Sequence, residues 1–318
     1  MNDLSRAPSE PIDVQRAVDA ALEDVSAYQG QGVLPSYIPA LANVSPRKLG
    51  IAVATRDGGS FSAGDADEPF SIQSISNVFT LSLVLQHVGG ALWNHVGREA
   101  SGSATNSIVQ LELTRGKPRN PLINAGALVV DDHLIGGDTP DDAVSDLLEY
   151  LRERCGDNGI AIDDRVALSE SQAGALNRSF AYYLAAFGNL SHPPEDVVSV
   201  YFRQCAVAMS CRQLAKAASY LAFDGMDPVS GDPVILPTRS RRILSLMMTC
   251  GHYDNSGDFA FRIGLPGKSG VGGGILAIAP GHAAIAVWSP GLNSAGTSLA
   301  GSAVLEKLVE HTGWSVFA

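Results

Sequence analysis

The chain has 318 residues, enough to bury a real core in one large domain or two smaller ones, with 45% hydrophobic and 17% charged residues in an ordinary globular balance. Its 22 basic against 33 acidic side chains leave a net charge of -11, which argues against a nucleic-acid partner and against adhesion to anionic membranes. No run of about 18 apolar residues is present to span a bilayer. The four cysteines (Cys155, Cys205, Cys211, Cys250) form no C-x-x-C pair, and the opening MNDLSRAPSEPIDV lacks an apolar secretory stretch. Together these features imply a cytoplasmic protein with free thiols.

In chain order, residues 1–12 read as a loose polar arm. Val14, Ala17, Val18, Ala21, Leu22 and Val25 then recur with helical spacing, predicting an amphipathic helix to Tyr28. The segment LGIAVATRDGGSFSAGD reads as a β-hairpin turning at Asp57-Gly58-Gly59. The middle is helical in pattern: Ser74–Val88, Pro121–Leu134, Thr139–Cys155, Ala175–Phe187, Pro194–Phe202 and Arg212–Leu221. Two further strands, GGILAIAP and HAAIAVWSP, flank Pro280-Gly281, and a last helix runs from about Ser298 to His311. Hairpin-joined strands at both ends predict an α/β (α+β) fold: one antiparallel sheet flanked by helices, with a helical insertion. The expected division is 13–73 with 240–318 for the sheet domain and 74–239 for the helical domain, with the active cleft at their seam.

Ser74-Ile75-Ser76-Asn77 differs by one residue from the S-x-x-K of serine acyl-transfer enzymes. A serine in the first turn of a helix sits where backbone N–H groups and the helix dipole stabilise developing negative charge. Position i+3 lies on the same face, where a base could take its proton. The alternative is a plain N-cap on a buried helix. In GLPGKSGVGGG, a Walker reading fails because Arg262 stands where its first glycine belongs, whereas Lys268-Ser269-Gly270 resembles the K-[ST]-G box that accompanies S-x-x-K. An edge-strand lysine there would wall the cleft opposite the serine. An S-D-N box is missing, and Tyr253-Asp254-Asn255 lies too close to the lysine to stand in for it. The seven histidines show no ligand-like clustering, so neither metal nor cofactor is expected.

Taken together, SYIP (36–39), PFSIQSIS (69–76), NPLINAGA (120–127), Ser169-Glu170 with Asn177-Arg178, Val200-Tyr201-Phe202 and CGHYDNSGDFAFRIGLPGKSGVGGGI (250–275) resemble the serine-dependent glutaminases. That family is a branch of the β-lactamase/penicillin-binding-protein-like superfamily, and the likeness runs from about residue 25 to 315. It implies hydrolysis of L-glutamine to glutamate and ammonia through an acyl-enzyme on Ser74, and a homodimer or homotetramer. It further implies an oxyanion hole of the Ser74 and Val271 N–H groups. Glutamine contacts would come from Tyr37, Gln73, Ser74, Asn124, Glu170, Asn177, Tyr201, Tyr253 and Val271. Tyr201 and Tyr253 would lie beside the nucleophile, and Lys268 would tune their proton network. On the bland reading, Asn120 caps a helix begun by Pro121, and Glu170 and Asn177 are helix surface.

The chain departs from the family at Asn77, where the resemblance implies a catalytic lysine. A carboxamide accepts no proton near neutral pH, so impaired hydrolysis is expected. The asparagine is open to three origins: an inactivating substitution or sequence error, a variant relying on Tyr253 or Tyr201, or a non-catalytic glutamine- or glutamate-binding protein on the same scaffold.

Overall fold

The computed structural model describes residues 12–101 and 108–318, so the arm expected at 1–12 lies outside the described residues except for Ile12. Strands β1 (Gly50–Thr55) and β2 (Ser60–Gly64) form the first hairpin, in register Gly50↔Gly64. β3 (Phe70–Ser71), β4 (Ala161–Ile162) and β5 (Val207–Met209) build a small sheet in the order β3-β5-β4. β6 (Gly267–Ser269), β7 (Gly274–Ala279) and β8 (Ala283–Trp288) complete a five-stranded antiparallel sheet, β2-β1-β8-β7-β6. The predicted sheet from both ends of the chain is present, with the K-S-G strand at its edge. The small sheet is an addition, because strands of two or three residues carry no readable alternation.

Strands β1, β6, β7 and β8 are buried on both faces, and their alternation sorts the side chains. Ile51, Val53, Ile275, Ile285 and Val287 face the terminal helices Val14–Asp24 and Leu299–Thr312. Ala52, Ala54, Ala284 and Ala286 face the helical body. These alanines let the short helix Cys211–Ala217 lie directly on β1 and β8. That helix and Ser219–Ala222 divide what the periodicity predicts as one helix, just as a 3-10 turn at Ser26–Tyr28 finishes the first one.

Five helices of the body bear on the site: Ser76–His87, Asn124–Ile135, Asp164–Ala173, Ala175–Ala186 and Pro194–Cys205. Ser76–His87 is buried on nearly every side, as the spread of Val78, Phe79, Leu81, Leu83, Val84 and Leu85 around its circumference requires. Asn124–Ile135 packs against both Ser76–His87 and Pro194–Cys205. Its start differs from expectation. Asn120 Oδ1 accepts from Leu122 and Ile123 N–H (3.0 and 3.2 Å), holding a turn before the helix rather than capping it. Local signals suffice elsewhere: Pro140–Cys155 opens on a Thr139/Asp142 capping box and stops at Gly156 in the left-handed region. No helix of the described residues is long and apolar enough to cross a membrane.

Candidate active site

Ser74 stands in a 3-10 turn, Gln73–Ile75, that runs straight into Ser76–His87. Its hydroxyl caps neither segment, so the N-cap reading fails. The turn is forced by Gln73, whose φ of +51° is left-handed for a non-glycine residue. Hydrogen bonds hold it there: Gln73 Nε2 donates to Ser71 Oγ (2.9 Å), Ser71 Oγ to Cys205 O (2.7 Å), and Ser76 Oγ to Gln73 O (2.7 Å).

The loop between β6 and β7 lies flat against this turn. A Cβ on Gly270 would stand 2.5 Å from Ile72 O, and one on Gly272 would stand 2.4 Å from Ser71 O. Only glycines permit that approach, and it brings Val271 beside Ser74. Among the described residues, neither the Ser74 nor the Val271 backbone N–H donates to a backbone carbonyl. Two free donors next to a serine hydroxyl can receive an oxyanion.

Around them opens a cavity of about 730 Å³ including its mouth. Every predicted glutamine-contacting position lines it: Tyr37, Gln73, Ser74, Asn124, Glu170, Asn177, Tyr201, Tyr253 and Val271. Ser74, Gln73, Glu170 and Tyr201 are buried, whereas Tyr37 stands at the rim, 61% exposed. Asn124 Nδ2 donates to Asn177 Oδ1 at 3.0 Å, joining two helices across the cavity. Neither Glu170 nor Asn177 is plain helix surface. Cys205 also lines the wall and had gone unread in the sequence; its signal is its place one helical turn beyond Tyr201.

Burial raises the Glu170 carboxyl to about 7, with the Gln73 side-chain hydrogen bond opposing. Burial likewise pushes the Tyr201 hydroxyl and the Cys205 thiol well up. A carboxylate poised near neutrality is suited to an ammonium partner.

Lys268 is fully buried but does not wall the cavity as expected. It sits behind Tyr253, its Nζ 4.2 Å from the ring centroid and donating to Ser269 O at 2.7 Å. A cation over the ring acts on Tyr253 electrostatically. Tyr253 itself has φ +56°, a second left-handed non-glycine residue on the cavity wall.

Asn77 is 1% exposed and not part of the lining. Its Oδ1 accepts from Gln204 Nε2 at 2.9 Å. Asn77 Nδ2 and Gln204 Oε1 have no partner among the described residues. Nothing in the sequence marked Gln204.

A family profile described as Glutaminase matches residues 32–317. A glutaminase of Rhizobium rhizogenes is 56% identical over 305 residues, 96% of this chain and 99% of its own length. A thermolabile glutaminase of Rhizobium etli is 55% identical over the same shares. Among solved structures, a probable glutaminase, ybaS, superimposes with a TM-score of 0.90 at 37% identity, covering 96% of this chain and 98% of that one. Mglu in its glutamate form gives 0.89 at 32%, over 95% of this chain and 69% of its own.

Proposed function

The chain belongs to the glutaminase family, and we propose that it binds L-glutamine in the Ser74 cavity and hydrolyses the side-chain amide slowly, through a Ser74 ester. One observation carries this: a single cavity gathers a serine, two free N–H donors, a near-neutral buried carboxyl and paired amides. Ser74 Oγ attacks the γ-carbonyl carbon, and the Ser74 and Val271 N–H groups receive the oxyanion. Ammonia leaves, and water cleaves the ester. The Glu170 carboxylate meets the α-ammonium, while Asn124, Asn177 and the tyrosine hydroxyls bond the α-carboxylate and the amide.

The Asn77 amide takes no proton from Ser74. Tyr253, under the Lys268 ammonium, is the group left to carry protons, with Tyr201 also lining the cavity. General-base assistance is worth about 10²–10⁴ in rate, and a cooperative nucleophile–base unit on the order of 10⁶. Asn77 also favours a second reading, a glutamine- or glutamate-binding protein without turnover. A cytoplasmic location, supported by four free, buried cysteines, and a homodimer or homotetramer are both part of the proposal.

Calorimetry tests the binding half. Glutamine should give a saturable heat that Glu170→Ala abolishes. No heat from either the chain or Asn77→Lys overturns the proposal.

A further inference from the structure

Just behind Ser74, a polar network stops short. Gln204 reaches Asn77 across 127 positions of sequence, and their one bond fixes both amides. Left over are a donor, Asn77 Nδ2, and an acceptor, Gln204 Oε1, on side chains 1% and 0% exposed. An unmade hydrogen bond on such a buried group is destabilising, and buried polar atoms otherwise find a partner. A small molecule with a lone pair and an N–H satisfies both orphans at once.

The pair lies behind the cavity wall and is not itself part of the lining. Ser74, one helical turn before Asn77, and Cys205, next to Gln204, both line the open cavity. Asn124–Ile135 packs against the helices carrying Asn77 and Gln204. On it, Asp131 is fully buried with both carboxyl oxygens unpartnered among the described residues, within electrostatic reach of Cys205. A cation formed at this three-helix junction would favour ionisation of that carboxyl, which burial otherwise holds protonated.

We propose that the amide pair Asn77–Gln204 forms a site for ammonia or a small primary amine, which serves as the diffusible base for Ser74. The proposal rests on the reading of Ser74 as a nucleophile to which Asn77 supplies no base, and it gives the amine the role otherwise left to Tyr253. The amine keeps its N–H on Gln204 Oε1 and swings its single lone pair from Asn77 Nδ2 to the Ser74 hydroxyl. It takes that proton as Oγ bonds to the γ-carbonyl carbon. The resulting ammonium returns the proton to the departing nitrogen as the C–N bond breaks, so ammonia leaves and the amine is regenerated. In the second half, water replaces serine as the proton donor and attacks the ester, and the proton returns to Oγ. Because ammonia is the product, the reaction supplies its own base, and progress curves accelerate.

The test is glutamate formation from glutamine by the full chain, between pH 7 and 9.5, with ammonium or methylamine chloride against tetramethylammonium chloride. The rate should rise with free-base amine and saturate, by about 10- to 100-fold, part of the 10²–10⁴ a positioned base supplies. Amines bulkier than ethylamine should act less. Asn77→Lys, whose base is tethered, should not respond. Gln204→Leu, checked for folding by circular dichroism, should lose the response, and Gln204→Glu, which keeps an acceptor oxygen, should retain it. A flat amine response while Asn77→Lys forms glutamate overturns the amine site and leaves the glutaminase reading standing. So does extra glutamine consumption appearing only as the γ-glutamyl alkylamide, since the amine is then a nucleophile and not a base. No glutamate from either protein, with or without amine, removes both readings.

Discussion

The Lys268 ammonium lies 4.2 Å from the centre of the Tyr253 ring, behind a residue that itself lines the Ser74 cavity. Charge is thereby delivered to the site without exposing the lysine to substrate. No carboxylate pairs with Lys268 among the described residues; its partner is the neighbouring Ser269 carbonyl. Lys268→Met should therefore stabilise the fold by roughly 1–3 kcal/mol in urea denaturation, the scale of a poorly compensated buried polar group. In the Asn77→Lys background the same change should lower kcat about 10²-fold with little effect on KM. Lower stability with unchanged kcat would make Lys268 structural.

Glu170 predicts a pH profile for binding. Its carboxyl is raised to about 7 by burial, so it is mostly protonated below that value and charged above it. Glutamine affinity should rise as pH increases through about 7, because only the carboxylate attracts the α-ammonium. Calorimetric Kd values from pH 5.5 to 8.5 check this, and Glu170→Gln should flatten the profile. The free protein should move the other way. The unfolded chain ionises Glu170 near its ordinary value of 4.5 while the fold resists, so stability falls as pH rises from there to about 7.

Asp131 has the same sign for the same first reason. Burial, with Asp132 adding, pushes its carboxyl well above the usual aspartate value of 3.8. As pH rises past that value the unfolded state sheds a proton the native state keeps, and stability drops by about 1.4 kcal/mol per unit. Asp131→Leu should remove that slope and raise the melting temperature at pH 7 but not at pH 3.5. Equal melting temperatures at both pH values would show that Asp131 has a partner.

The glycines pressing Val271 toward Ser74 predict a loss confined to chemistry. In Gly272→Ala the new Cβ would meet Ser71 O at 2.4 Å, so the loop must withdraw and take the Val271 N–H with it. Losing one oxyanion donor costs about 10²–10³ in kcat. That drop, read in the Asn77→Lys background with glutamine Kd within a few-fold of the parent, is the expected result.

The sequence was most readable where local periodicity and turn residues agree. The β7–β8 pair around Pro280-Gly281 is one case, and the Thr139-to-Gly156 helix is another. It misled where one residue serves a non-local purpose. Asn120 carries the signature of a cap yet holds a turn, and Ser74 begins a helix without capping it. Lys268 was legible as chemistry but not as a residue behind Tyr253, because strand alternation says which face a side chain takes and not what stands in front of it. Gln204 had no signal, since its partner Asn77 lies 127 positions away and only packing joins them.

The most direct test of the central claim is the steady-state rate of glutamate formation from glutamine, measured without added amine for the chain and for Asn77→Lys. The account predicts slow turnover by the chain and a gain of about 10²–10⁴ in kcat for Asn77→Lys, abolished by Ser74→Ala. Equal rates for the two proteins, or turnover that survives Ser74→Ala, would contradict it.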